Sequence, residues 1–268
     1  MEVKKHYKFI FVVLVYRNTS DLKNFFVSNR IKDSRTVVVV SHYDEETDKQ
    51  FKDIAFDNDA DVIFIPNKGY GFGNNKGIEF SIENFSFEYL IVSNADIEIR
   101  QFDEDVLKKY SDNIIAPCII ASSGRLQNPG EPFKPSHLVH NLAYKAYKGD
   151  HYKLIWLYYG WCRVKRILYN VLEKLKIASS SIYAAHGSFI IFPYNTLMSL
   201  IPLFNEKMFL MNEEAHLAKK AKLSNITTKY VKDIVIDHKE DGSMSLEYKN
   251  EFPLLKQSFI EFYLYWYK

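Results

Sequence analysis

Four short apolar runs separated by three amphipathic stretches occupy the first hundred residues, and that alternation leaves few folds open. Phe9–Tyr16, Thr36–Ser41, Val62–Ile65 and Tyr89–Ser93 are rich in Val, Ile, Leu and Phe, as expected of strands buried on both faces. Thr19 or Ser20 opens a helix running to about Arg30, and Asp44–Asn58 and Asn74–Asn84 read as two more. Strands and helices in this order fold as a parallel sheet with right-handed crossovers. The expected class is α/β, an open Rossmann-like sheet flanked by helices.

Beyond Ile99 the rhythm loosens. Asn113–Ile120 reads as a strand and Ser122–Pro135, with Gly124, Pro129, Gly130 and Pro132, as a loop. Tyr144–Lys176 is expected to be helical in two pieces broken near Gly160. Ile182–Phe192 and Ile226–Ile236 are strand-like, Glu213–Leu223 is helical, and Phe252–Lys268 is an aromatic-rich amphipathic helix. A 47% hydrophobic and 25% charged composition excludes disordered and collagen-like chains. The net charge of +2 argues against nucleic acid as a partner. Cys118 and Cys162 have no metal-type spacing and suit a reducing cytoplasm. Met1-Glu2-Val3-Lys4-Lys5 followed by an apolar run mimics a signal peptide but lacks a small-residue cleavage site, so a buried first strand is the expectation. The uncharged stretch Ile177–Asn205 is interrupted by prolines and polar residues, so no transmembrane helix is predicted.

Ligands of open α/β sheets bind beyond the carboxyl ends of the strands. The residues following the four runs are Tyr16-Arg17-Asn18, Ser41-His42-Tyr43-Asp44, the segment from Asn67 through Gly69, Gly71 and Gly73 to Asn75, and Asn94-Ala95-Asp96. Together they offer hydrogen-bonding groups for a base, glycines for close backbone approach and a carboxylate for a cation. The glycines do not make a dinucleotide fingerprint, because they follow the third strand and Asn74 breaks the pattern. A plain flexible loop is the alternative. Asp96, at the end of a buried strand, must be solvated, paired or metal-bound. Mg²⁺ or Mn²⁺ needs only one or two carboxylates beside substrate phosphates, and a turn cap is the other reading.

Four segments carry a more specific resemblance: VVLVYRNTSDL (Val12–Leu22), NKGYGFGNNKGI (Asn67–Ile78), YLIVSNADI (Tyr89–Ile97), and a C-terminal set. That set comprises His186-Gly187-Ser188-Phe189, FNEKMFLMNEEAHL (Phe204–Leu217) and Asp237-His238. In this order they resemble the family 2 inverting glycosyltransferases of the GT-A fold, especially the bacterial rhamnosyltransferase-like, capsular polysaccharide branch. The resemblance implies an open mixed sheet with a helical insert and a C-terminal helix. Residues 1–120 would form the nucleotide-sugar half, 121–181 the loop and basic aromatic insert, 182–245 the acceptor and catalytic half, and 246–268 the C-terminal helix.

It also implies roles by position. Asp96 resembles the metal-binding Asp of the acidic motif, and Asn94 stands where a first acidic residue often does, leaving one fewer carboxylate. Tyr16, Arg17 and Asp44 match positions lining base and ribose. Asn67, Gly69 and Asn75 belong to the donor-side loop. Glu213-Glu214 matches the Glu-Asp pair whose second member resembles the catalytic base; otherwise these are two solvated glutamates suited to a helix N-terminus. His238 resembles a late metal-site histidine, and His186 with Gly187 and Ser188 would line the acceptor side. The implied cofactor is Mn²⁺ or Mg²⁺. The implied partners are a nucleotide-sugar donor and a glycan acceptor on a lipid diphosphate carrier, handled at the cytoplasmic face of the cell membrane. A sugar nucleotidylyltransferase is a rival, although Tyr16-Arg17-Asn18-Thr19 offers no glycine-rich phosphate loop. A non-catalytic carbohydrate-binding or assembly subunit is another, supported by Asn94.

Tyr144–Lys176 holds six lysines and two arginines against Asp150 and Glu173, with eight interleaved aromatics. Basic aromatic helices suit an anionic membrane surface. The C-terminal helix, with Phe259, Phe262, Tyr263, Tyr265, Trp266 and Tyr267, could share that surface or form a homodimer contact. The plain alternative packs both segments on the domain with solvated lysines.

Overall fold

A computed structural model describes residues 4–41, 44–240 and 252–268. Met1–Val3, His42 and Tyr43 lie outside the described residues, as does the expected boundary at 245/246. The first half is built from β1 (Lys5–Val15), α1 (Thr19–Ser28), β2 (Ser34–Val40), α2 (Glu45–Asp57), β3 (Asp61–Phe64), α3 (Tyr70–Asn84) and β4 (Phe85–Asn94). Four parallel strands run in the order β3-β2-β1-β4, with Val12 paired to Val37 on one side and Val92 on the other. Their apolar runs are continuous because both faces are covered. Phe9, Phe11 and Val13 face Leu22, Phe25 and Phe51 of α1 and α2, while Ile10 and Val12 face α3.

The second half turns the sheet mixed. β5 (Ile97–Phe102), a short α4 (Glu104–Leu107), β6 (Ile114–Ala121), α5 (His137–Lys148), α6 (Tyr152–Lys174), β7 (Ser181–Ile182), β8 (Phe189–Pro193), α7 (Tyr194–Met198), α8 (Glu213–Leu223), β9 (Thr228–His238) and α9 (Phe252–Tyr267) follow. β8 inserts antiparallel beside β4, and the sheet continues through β6 and β9 to β5, with β7 on β9. The open mixed sheet flanked by helices agrees with the expected fold class.

Several local expectations are corrected. The glycine segment is not a loop: α3 begins at Tyr70, and Gly69 at φ +100 forms its N-terminal boundary. A Cβ at Gly69 would fall 2.0 Å from the Phe209 carbonyl oxygen, which also accepts the Tyr70 amide at 2.8 Å. The helical insert starts at Ser136, whose hydroxyl accepts the Val139 amide, and it breaks at Gly149–His151 rather than at Gly160, which lies inside α6. The strand expected over Ile182–Phe192 splits into β7 and β8, freeing His186–Ser188 to turn toward the strand ends. β5, with only Ile97, Ile99 and Phe102 as large apolar residues, went unread because it is short, polar and an edge strand.

The aromatic face of α9 turns inward. Tyr263 stacks on Tyr144 of α5 at 4.2 Å, Phe259 lies 4.8 Å from Tyr147, and both α9 residues are buried. Trp266 Nε1 donates to His216 Nδ1 on α8 at 3.1 Å. Both cysteines are free, and among the described residues no helix is long and apolar enough to cross a membrane.

Candidate functional site

A cavity of about 700 Å³ opens at the carboxyl ends of β1, β4 and β9, within the size range of small-ligand sites. Its first wall is made by a register. β5 runs antiparallel to β9 with Ile97 opposite His238, so the turn residue before Ile97 lies beside His238. Asp96 Oδ1 is 3.3 Å from His238 Nε2, and both residues are buried. Burial pushes the Asp96 carboxyl up, but the hydrogen bond and charge of His238 outweigh it and hold its pKa below the ordinary value.

The His238 ring is oriented from behind. Its Nδ1 lies 2.8 Å from Gln127 Oε1, and Gln127 Nε2 donates to Glu240 Oε1 at 2.7 Å. Glu240 also accepts Arg125 Nη2 at 2.5 Å; partial burial works to raise its carboxyl, but these hydrogen bonds keep it below the usual range. An ionised carboxylate only accepts, so the Gln127 amide nitrogen must face Glu240 and its oxygen must face His238. Nδ1 therefore carries a proton and donates, and Nε2 is the nitrogen that faces Asp96. Asn94 Nδ2 lies 3.4 Å from the same Nε2.

The opposite wall is the start of α8. Met211 and Asn212 both adopt positive φ, 73° and 66°, a left-handed pair that swings the chain into the helix with Glu213 and Glu214 in its first turn. Glu214 Oε1 accepts the Gly187 amide at 3.2 Å, and the Gly187 carbonyl accepts the Tyr70 hydroxyl at 2.7 Å. Glu213 is 2% exposed with Oε1 unpartnered. Burial raises both carboxyls, Glu213 further because Glu214 stands beside it. Tyr70 is pushed well above 10.0 by burial and then by the two glutamates, so it stays a hydrogen-bond donor. His186 Nδ1 accepts the Ser188 amide at 3.2 Å, and burial lowers its pKa to about 4, so the ring is neutral at neutral pH.

The sequence-derived candidates separate into two groups. Tyr16, Asn67, Gly69, Asn94, Asp96, His186, Gly187, Ser188, Glu213, Glu214 and His238 all line the cavity, whereas Arg17, Asp44 and Asn75 do not. Arg17 has its guanidinium 5.1 Å from the Tyr16 ring centroid. Asp44 caps α2, accepting the Thr47 amide at 3.1 Å and its hydroxyl at 2.6 Å. Asn75 is buried and grips the backbone of Phe204, donating to its carbonyl at 3.0 Å and accepting its amide at 3.2 Å. It thus fixes the segment leading to Phe209–Met211 on the cavity rim. Gln127, Arg125, Glu240 and Asp21 also line the cavity and were not anticipated. Gln127 lies in a segment legible only as loop, and its partner is 111 residues away.

A divalent cation fits this wall. Asp96 and His238 face each other through a carboxylate oxygen and the imidazole Nε2, which would offer its lone pair to a cation in place of a proton. The ring's other nitrogen is hydrogen-bonded in the manner usual for metal-bound histidine. Among the described residues no third His, Cys, Asp or Glu joins them, so phosphate oxygens or water would complete the shell.

No protein-family model matches the sequence. Over 122 residues, 42% of this chain, it is 29% identical to the low-salt glycan biosynthesis hexosyltransferase Agl10 of Haloferax volcanii, and the match spans 37% of that relative. The fold superposes on GalNAc-T7, solved with UDP, GalNAc and Mn²⁺, with a TM-score of 0.57 at 10% identity, covering 87% of this chain and 44% of that one. It also superposes on S. aureus TarS with a TM-score of 0.53 at 13% identity, covering 87% and 36% of the two chains. For TarS 1–349 in complex with UDP-GlcNAc the TM-score is 0.51 at 15% identity, covering 90% and 61%. The chain therefore has the GT-A fold of these glycosyltransferases.

Proposed function

We propose that this chain is a metal-dependent, inverting glycosyltransferase that moves a hexose or deoxyhexose from a nucleotide-sugar donor to a hydroxyl of a glycan acceptor. The observation carrying this reading is that one cavity gathers Asp96 and His238 at the ends of β4 and β9 and, on its α8 wall, Glu214 held by the acceptor-side loop. The similarity to a hexosyltransferase and the superpositions on proteins solved with UDP and UDP-GlcNAc support the donor class.

Asp96 and His238 would hold Mn²⁺ or Mg²⁺ through Oδ and Nε2, with Asn94 beside them; when bound, the cation neutralises charge on the departing diphosphate. Tyr16 and Asn67 line the same cavity and in this reading receive base, ribose or phosphate. Glu214 is the base: more accessible than Glu213, anchored by the Gly187 amide, and raised by burial toward the pH at which a base works best. The acceptor hydroxyl gives its proton to Glu214 as its oxygen bonds to the anomeric carbon. The carbon–oxygen bond to the diphosphate breaks in the same displacement, and its electron pair leaves with the diphosphate, inverting the centre. Burial and the neighbouring Glu214 both favour the protonated form of Glu213, which keeps two negative charges from standing side by side. The acceptor in this reading is a surface polysaccharide intermediate on a lipid diphosphate, met at the cytoplasmic face of the membrane.

Thermal melting with nucleoside diphosphates and nucleotide sugars, with Mn²⁺ and with chelator, tests the donor site. A ligand at 100 times its Kd stabilises the native state by about 2.7 kcal/mol, enough for a clear shift. A metal-dependent shift with one nucleotide, followed by sugar transfer lost in Glu214→Gln, is expected. No shift with any nucleotide would leave a non-catalytic fold relative as the reading.

A further inference from the structure

The outward face of α6 is not needed by the fold. Ile155, Lys165 and Tyr169 turn inward, and Tyr169 donates its hydroxyl to the Ser179 carbonyl at 3.1 Å. On another side, Leu157, Trp161, Val164, Leu168, Val171 and Leu175 are spaced alternately four and three residues apart and are 47–69% exposed. That spacing makes one unbroken stripe along a helix about 34 Å long. Trp156, 76% exposed, and Ile167, 57% exposed, widen it on one flank. Continuous exposed apolar surface of this kind marks an interaction site.

Charge identifies the occupant. The exposed charges of α6 are Lys153, Arg163 and Lys174, and its one acidic residue, Glu173, is paired with Lys232 at 2.6 Å. A second copy laid along this stripe would set like charges against like, whereas helices that pair by such a seam carry complementary flanking charges. An anionic bilayer surface accepts the tryptophans, the aliphatic stripe and the cations together, and α6 is too polar to cross it. We propose that α6 lies in the plane of an anionic phospholipid surface and docks the enzyme there by this face. α9 takes no part, because its aromatic face is occupied by α5.

The docking helix is coupled to the cavity. Arg166 Nη2 donates to the Gly130 carbonyl at 3.0 Å, and Gly130 packs so tightly on the Ala184 and Ala185 carbonyls that a Cβ would approach them to 3.1–3.2 Å. His186 follows directly, so the lipid surface would meet the protein one loop away from the acceptor side. Only the identity of the lipid-borne acceptor rests on the proposed glycosyl transfer; the adsorption itself does not.

Cosedimentation of the full chain with phosphatidylcholine vesicles, with and without phosphatidylglycerol, tests this. Binding to the mixed vesicles is expected, and Trp161→Glu with Leu168→Glu should abolish it without changing the melting temperature or the nucleotide-induced shift. Each lysine or arginine near an anionic surface contributes about fivefold, so Lys153→Gln, Arg163→Gln and Lys174→Gln together should weaken binding about 100-fold. No adsorption, or adsorption unchanged in both variants, overturns the proposal. So would a dimer in sedimentation equilibrium that Trp161→Glu with Leu168→Glu dissociates while neither protein binds vesicles, which would give the face to a second copy. Vesicle binding without any nucleotide-induced shift would retain the surface and overturn the transferase reading instead.

Discussion

Gly187 holds Glu214 and Tyr70 at once: its amide donates to the carboxylate at 3.2 Å and its carbonyl accepts the phenol at 2.7 Å. No side chain fits between them, since a Cβ would stand 2.8 Å from Glu214 Oε1 and 3.3 Å from Tyr70 Oη. The nearer of these atoms is the free end of a side chain, so Gly187→Ala should fold and displace the carboxylate. For the base proposed above, misplacement by an ångström costs about 100-fold in rate. That loss in kcat, with a melting temperature close to wild type, is the expected outcome of steady-state kinetics and calorimetry.

Glu213 predicts a stability effect with a definite sign. Its carboxyl is raised well above 4.5 in the folded protein, first by burial and then by Glu214. Between the unfolded and folded values the native state binds more protons than the unfolded state, so stability falls as pH rises through that window. Glu213→Gln removes the proton dependence. It should raise the melting temperature at neutral pH relative to wild type, by a margin that shrinks on acidification and vanishes below the unfolded value. Differential scanning calorimetry across pH checks it; a gain independent of pH would show that Glu213 is not held protonated.

If Glu214 is the base proposed above, transfer has an acid limb. Burial raises its carboxyl, and a base must be ionised, so kcat should fall on acidification at a pH above the ordinary carboxylate range. The limb should disappear in Glu214→Gln along with most of the rate.

What the sequence makes legible is local. The parallel half of the sheet follows from runs such as Val37–Val40, and Asp96 is conspicuous because a carboxylate at the end of a buried strand needs a partner. Glu213 and Glu214 are marked only by the motif they resemble, acidic residues being ordinary in a helix's first turn. Asp44 and Asn75 show the limit: one follows β2 and spends its side chain on a helix cap, and the other sits in the second turn of α3 and spends its side chain on the Phe204 backbone. Gln127 shows the converse, since its role exists only once β6 and β9 pair and bring it to His238.

Removing that role gives a metal-specific prediction. Gln127→Leu keeps the approximate volume but deletes the acceptor of His238 Nδ1–H, freeing the ring to change tautomer. Loss of such a partner lowers metal affinity by about 10–100-fold. Mn²⁺ binding followed by electron paramagnetic resonance, in the absence of substrate, should show this, while nucleotide affinity in chelator is unchanged. Equal Mn²⁺ affinity in both proteins would remove His238 from the metal site.

Two glycines, each inside a helix, differ in what surrounds them. Gly77 brings α3 onto the sheet: a Cβ there would lie 2.4 Å from Val12 Cγ1 and 2.7 Å from Val39 Cγ2, both in fully buried residues. Overpacking of this kind costs about 1–3 kcal/mol, and Gly77→Ala should lower the melting temperature accordingly. Around Gly160 nothing lies within 4 Å of a Cβ, and the residue sits in the middle of α6. There the backbone entropy of glycine is an uncompensated loss, so Gly160→Ala should stabilise by about 0.5–1 kcal/mol. Chemical denaturation of the two variants measures opposite signs if α6 is one continuous helix; a loss of stability in Gly160→Ala would mean that α6 breaks where the composition alone suggests.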